Sequence, residues 1–137
     1  MSTQLDWQAI RAGALVSLLF AVPFSAAGTW LTRSHGRHPA APWLALGAAV
    51  GFVLGAGVAA WVQQRGLPLM HGLICAIGTY VIAQAVFIAI RLLTGREVRW
   101  FAAVFNLTVV AAAGLIGGGL GSALQKRGFA PTSRIDR

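Results

Sequence analysis

Acidic residues are scarce in this sequence of 137 amino acids, which has 11 Lys and Arg but only 3 Asp and Glu. Cysteine occurs once, so an intramolecular disulfide and a structural metal held by several thiolates are both excluded. Charged residues make up 10% of the chain and apolar residues 57%, against about 25% and about 45–50% in a soluble domain. These values exclude a soluble globular enzyme, a disordered chain and a disulfide-stapled module. A small unit that crosses a membrane several times remains.

Four long stretches, at 12–32, 39–64, 66–90 and 100–125, contain no Asp, Glu, Lys or Arg. A helix needs about 20 residues to cross a hydrocarbon core of about 30 Å, so each stretch can cross once. Backbone groups find no water in lipid, and a helix satisfies them internally. The sequence therefore predicts an all-α four-helix transmembrane bundle in a single domain. Its helices are expected at about 8–32, 42–63, 69–92 and 100–125, followed by a mobile tail at 126–137. Short connections favour an up-down-up-down order.

All five tryptophans lie at the ends of these stretches, where the membrane–water interface favours an indole ring. They are Trp7, Trp30, Trp43, Trp61 and Trp100. The first stretch also resembles a secretory signal peptide, with Arg11 before it and "PFSAA" within it. Because the uncharged stretch continues to residue 32, we interpret it as a spanning helix.

The basic residues flank the helices on both sides of the membrane. One side has Arg11, Arg65, Lys126, Arg127, Arg134 and Arg137, and the other has Arg33, Arg37, Arg91, Arg96 and Arg99. The small excess on the first side favours cytoplasmic termini. We expect anionic lipid headgroups as the counter-charge, and no nucleic acid, because no basic stripe is formed. The expected headgroup contacts are Arg33, Arg37, Arg96, Arg99, Lys126 and Arg127.

Glycines at a spacing of four are the clearest local signal. They are Gly47, Gly51 and Gly55 in the second helix, and Gly114, Gly117, Gly118 and Gly121 in the fourth. Small residues let helix backbones approach closely in lipid. We favour packing within the chain, while an interface between subunits stays open. An offset of 62 residues aligns Gln63 with Gln125 and Gly55 with Gly117, so two duplicated hairpins are a further alternative.

Polar residues inside the helices form a candidate intramembrane track. Its members are His71, Tyr80, Gln84, Arg91 and Asn106. Such residues normally face the interior of a bundle. They either line a path for a solute or headgroup, or make hydrogen bonds between helices, which is the interpretation that we favour. His71 and Cys75 are two ligands at most, too few for a zinc site, so no metal and no cofactor are expected.

The chain resembles small four-span integral membrane proteins of unknown function from high-GC Gram-positive bacteria. The resemblance rests on "LDWQAIRAGALV", "LPLMHGLICAIGTYVIAQAV", "LTGREVRW" and "FNLTVVAAAGLIGGGLG". It implies a four-helix fold in a bacterial inner membrane, and no substrate.

No paired carboxylates and no nucleophile–base pair can be assembled from this sequence, so we expect no enzyme activity. The leading hypothesis is a non-catalytic membrane protein that acts by helix association. It would be an accessory subunit of a larger membrane complex or a small homo-oligomer. One alternative is a transporter or channel component with a polar path through the membrane. Another is a lipid- or quinone-binding anchor subunit beside a redox enzyme.

Overall fold

The structure, a computed structural model, describes residues 4–131 and consists there of helices without strands. The helices are α1 (Trp7–His35), α2 (Ala41–Val62), α3 (Pro68–Leu93) and α4 (Trp100–Lys126). Each is long and apolar enough to cross a membrane. The predicted four-helix transmembrane bundle is therefore confirmed, and the protein is a multi-pass membrane protein. α1 continues past residue 32 to His35, because nothing breaks the helix before Gly36.

Glycines with positive φ follow the ends of α1, α3 and α4, whereas α2 ends at Gln63 in extended backbone. α3 and α4 finish with the same hydrogen-bonded turn, at Gly95 with φ 64° and at Gly128 with φ 80°. After α3, the Gly95 amide donates to the Leu92 carbonyl and the Arg96 amide donates to the Arg91 carbonyl at 2.8 Å. This pair of bonds satisfies carbonyls that a helix end leaves without partners, and only glycine adopts the required φ without strain.

Burial within the helices is confined to one end of the bundle. The buried residues lie within 9–21 of α1, 51–60 of α2, 71–79 of α3 and 110–121 of α4. Because successive helices run antiparallel, these segments lie side by side at the end that contains the N-terminal segment and the α2–α3 loop. We call this end the closed half and the opposite end the open half.

Small residues bring the helix backbones into contact in the closed half. Gly55 of α2 lies directly against the Gly13 carbonyl and the Ser17 hydroxyl of α1. A Cβ atom added at Gly72 of α3 would lie 2.7 Å from the Gly118 Cα of α4. Lipid chains are as apolar as the helices, so close van der Waals contact is what holds transmembrane helices together.

A buried histidine fastens the N-terminal segment to α3. The Asp6 backbone N–H donates to His71 Nε2 at 2.9 Å, and His71 Nδ1 lies 2.8 Å from the Leu67 carbonyl oxygen. A carbonyl only accepts, so Nδ1 carries the proton and Nε2 provides its lone pair. The Asp6 side chain also caps α1 by accepting from the Ala9 amide at 3.1 Å. His71 therefore couples the start of α1 to the first turn of α3.

Two glutamines join the ends of α2 and α4. Gln125 Nε2 donates to the carbonyls of Ala60, Trp61 and Gln63 at 2.9–3.0 Å, at the end of α2 where carbonyls lack helical partners. Trp61 Nε1 donates to the Phe129 carbonyl at 2.7 Å, which holds the beginning of the tail against α2. The rest of the predicted mobile tail, residues 132–137, lies outside the described residues.

Aromatic rings separate the helices where the closed half ends. Phe52 of α2 and Tyr80 of α3 stand edge to face, with ring centroids 6.3 Å apart. The Phe24 ring of α1 lies over Gly47 of α2.

The helices differ in how closely they pack. α1 packs against α2 and α3, and α4 packs against α2 and α3, whereas α1 and α4 make only marginal contact with each other. α1 and α4 therefore lie on opposite sides of the contact between α2 and α3.

Candidate ligand cleft in the open half

Two adjoining cavities occupy the open half, and we refer to them together as the cleft. The inner cavity has a volume of about 300 Å³ and the outer one about 520 Å³. Both are lined by the same five polar residues, namely Ser25, Thr29, Arg91, Arg99 and Asn106. These come from α1, from α3, from α4 and from the α3–α4 connection, so the cleft lies between α1 on one side and α3 and α4 on the other.

The inner cavity ends against the aromatic pair. Phe52 is buried with 7% of its surface exposed, and Tyr80 lies beside it. The Tyr80 hydroxyl donates to the Ala103 carbonyl of α4 at 2.7 Å. Below this pair the closed half is packed by small residues such as Ala76 and Ala113, which are 0% and 4% exposed. The cleft therefore opens at one end and is blind at the other.

We expect Tyr80→Phe to lower the free energy of unfolding by only about 0.6 kcal/mol, the average for a hydrogen bond between transmembrane helices. Unfolding by SDS titration in mild detergent, followed by circular dichroism, measures this change. Thr108→Val is the matched control, since the Thr108 hydroxyl bonds to the Val104 carbonyl of its own helix. A loss several times larger than 0.6 kcal/mol would show that this bond is a principal clamp between α3 and α4.

Arginines surround the outer part of the cleft. Arg91 and Arg99 line both cavities, and Arg33 lines the outer one. Arg91 Nη1 donates to the Glu97 carbonyl at 3.1 Å, which positions its guanidinium under the α3–α4 connection. No Asp or Glu side chain of the described residues lines either cavity. The cleft therefore carries three positive charges without an acidic counter-charge in its walls.

Neutral polar groups lie deeper in the cleft. Gln84 of α3 lines the inner cavity and Asn106 of α4 lines both. The Thr29 hydroxyl donates to the Ser25 carbonyl at 2.8 Å, so its proton is used within α1. The Ser25 hydroxyl and the amide groups of Gln84 and Asn106 also line the cleft, and they can donate to a ligand.

The structure brings together four members of the predicted polar track and separates the fifth. Tyr80, Gln84, Arg91 and Asn106 line the cleft. His71 lies in the closed half, about 13 Å along α3 from Tyr80 at 1.5 Å per residue, and bonds the N-terminal segment. His71 is therefore part of the packing and not of the cleft.

The glycines of the two stripes lie against neighbouring helices of the same chain. Gly47, Gly51 and Gly55 face α1, Gly117 and Gly121 face α2, and Gly114 and Gly118 face α3. The stripes are thus occupied within the chain. Any association between chains has to use other surfaces.

The basic residues expected at lipid headgroups divide into two groups. Arg33 and Arg99 line the cleft. The remaining four are exposed near helix ends and do not line it; they are Arg37, Arg96, Lys126 and Arg127.

Sequence reasoning missed the contribution of α1 to the cleft. Ser25, Thr29 and Arg33 follow one another at intervals of four residues, and this spacing places them on one face of a helix. That pattern was a usable signal. Without knowing that α1 and α4 separate, however, the face could equally be assigned to lipid headgroups.

The donor groups of the cleft can bind an anionic ligand. Within residues 4–131 no group of three or more His, Cys, Asp or Glu side chains comes together. Guanidinium and amide donors above an apolar interior suit an amphiphile with an anionic head.

Comparison with protein-family models, with curated proteins and with solved structures gives no match to this chain. The resemblance to bacterial four-span proteins therefore stays a prediction.

Proposed function

We propose that this protein is a non-catalytic membrane protein that binds an anionic lipid in the cleft. The observation that carries the proposal is the arginine-lined cleft between α1 on one side and α3 and α4 on the other. Because the cleft lies within membrane-spanning helices, a lipid could enter it without leaving the bilayer. This role corresponds to the lipid-binding alternative drawn from the sequence, without a redox partner or quinone.

The position of the cleft within the bilayer supports a lipid ligand. Arg91 and Tyr80 are separated by about 16 Å along α3, roughly half of a hydrocarbon core of about 30 Å. Leu18, Val22 and Phe87 form apolar walls beside the polar groups. A headgroup at the arginines would place its acyl chain along these walls. With cytoplasmic termini, as we propose from the basic residues, the cleft opens in the outer leaflet of a bacterial inner membrane.

Two other roles are less well supported by this geometry. A transporter or channel needs a path through the membrane, and the closed half blocks the inner end of the cleft with Ala76 and Ala113. A role in helix association, as an accessory subunit or a small homo-oligomer, remains a hypothesis. The glycine stripes that suggested this role are covered by neighbouring helices of the same chain, so they support it less.

Native mass spectrometry of the protein from nanodiscs tests the proposal. The discs contain phosphatidylcholine with about 10 mol% phosphatidylglycerol, so the anionic lipid has to compete with an excess of the zwitterionic one. We expect the wild-type protein to retain phosphatidylglycerol selectively. The double variant Arg91→Gln/Arg99→Gln should retain at least about tenfold less, since each nearby basic residue contributes about 1 kcal/mol.

The matched control is Arg11→Gln/Arg65→Gln, which removes the same charge from exposed positions at the closed end. Equal loss of lipid from both double variants would refute a specific site. The same spectra give the number of chains per particle. A defined oligomer with no retained lipid would favour the association role instead.

A further inference from the structure

The charge of the cleft indicates what kind of lipid it takes. We infer that the ligand is a lipid whose head carries at least two negative charges on phosphate, as a phosphomonoester or a diphosphate does. This inference rests on the proposed function and specifies its ligand.

The first argument is the number of unpaired cations. Arg33, Arg91 and Arg99 line the outer cavity, and no acidic side chain lines it within the described residues. Arg33 and Arg99 are exposed and Arg91 is half-buried, so a headgroup that binds among them removes their charges from water, which is costly unless each charge is paired. A phosphodiester head such as phosphatidylglycerol supplies one negative charge and leaves two of the three guanidiniums unmatched. A head with two or three negative charges matches them more completely.

The second argument is the type and placement of the donors. A guanidinium presents a planar fork of N–H groups that fits two phosphate oxygens at once. Arg91 is held by its bond to the Glu97 carbonyl at 3.1 Å, so it needs less ordering on binding. Asn106 lines both cavities. It can donate to a phosphate oxygen that the arginines do not reach. Several terminal oxygens on one head are what such a set of donors recognises.

The third argument is the apolar inner wall, which distinguishes a lipid from a free anion. The inner cavity continues from the arginines along Leu18, Val22 and Phe87. A free phosphate or diphosphate would leave this wall unoccupied. A lipid with a phosphate head occupies both cavities, with its phosphate at the arginines and an acyl chain along the apolar wall.

Competition between lipids in nanodiscs tests the inference. Four probes are compared at pH 8: dioleoyl phosphatidic acid, dioleoyl phosphatidylglycerol, dioleoyl phosphatidylcholine and inorganic diphosphate. The second pKa of a phosphomonoester is about 6, so phosphatidic acid is then doubly charged. We expect the protein to retain phosphatidic acid at least about tenfold more than phosphatidylglycerol. We also expect that inorganic diphosphate does not displace phosphatidic acid. At pH 5 phosphatidic acid has about one negative charge, and its advantage should shrink.

Arg33→Gln removes the third cation and should reduce the preference for phosphatidic acid over phosphatidylglycerol. Arg37→Gln is its control, because Arg37 is exposed just beyond the end of α1, four residues from Arg33, and does not line the cleft.

The outcomes separate the two proposals. Equal retention of phosphatidic acid and phosphatidylglycerol, both above phosphatidylcholine, overturns this inference and leaves the proposed function standing. Retention of neither above phosphatidylcholine overturns both. Displacement by inorganic diphosphate shows that the acyl chain is dispensable, and overturns the assignment of a lipid.

Discussion

Replacing Gly117 with alanine is expected to lower the free energy of unfolding by about 1–3 kcal/mol, the usual cost of overpacking a close contact. The new Cβ would press on the Val53 carbonyl and would lie 2.8 Å from the Ala56 Cβ and 2.9 Å from the Gly57 nitrogen. All three belong to α2, whose backbone would have to move. SDS titration in mild detergent, followed by circular dichroism, measures the change.

The control for this variant lies two residues away. A Cβ added at Gly119 meets no heavy atom within 4 Å, so Gly119→Ala should cause no loss of stability. Both variants add the same methyl group to the same helix, and any general effect of alanine cancels. If the two variants unfold alike, α4 does not approach α2 through this face, and the close packing of the closed half is wrong.

His71→Leu is expected to cost about 1–3 kcal/mol, because it leaves the Asp6 amide without a partner in a partly buried position. The substitution should destabilise the N-terminal segment locally and also lower the stability of the whole bundle. We therefore expect faster hydrogen exchange at the Asp6 amide, together with a lower midpoint in the same SDS titration.

His35→Leu serves as the comparison, since His35 is exposed at the end of α1 in the open half. It should change neither the Asp6 exchange rate nor the unfolding midpoint. Unchanged exchange at Asp6 in His71→Leu would contradict the role of His71 in fastening the N-terminal segment.

Much of the fold could be predicted because membrane insertion depends on properties that are local in sequence. An uncharged stretch such as 66–90 has to form one spanning helix, whatever its neighbours do. The end of α3 also has a local signal, since Gly95 lies two residues after the last apolar residue, Leu93. The sequence also predicted a polar track that includes Tyr80, Gln84 and Arg91, and the structure places all three in the cleft.

The cleft itself could not be predicted, because it depends on which helices fail to touch. Neither α1 nor α4 has a local pattern that marks their separation in the open half. The role of His71 was hidden for a related reason. Its partner is a backbone amide of Asp6, 65 residues away, and a backbone donor leaves no trace in the sequence. The sequence aligns Gln63 with Gln125 as part of a possible repeat, but it does not indicate that the two side chains bond to each other at the ends of α2 and α4.

The two glycine-bearing faces of α2 have a consequence for the order of assembly. Gly51 and Gly55 face α1, the helix made just before α2, while Gly57 faces Gly117 of α4, which is made after α3. The first hairpin can therefore close as soon as α2 has entered the bilayer. Until translation reaches α4, the second face of α2 is covered only by acyl chains. Docking of α4 onto α2 is then a later step, and it adds the wall of the cleft that carries Asn106.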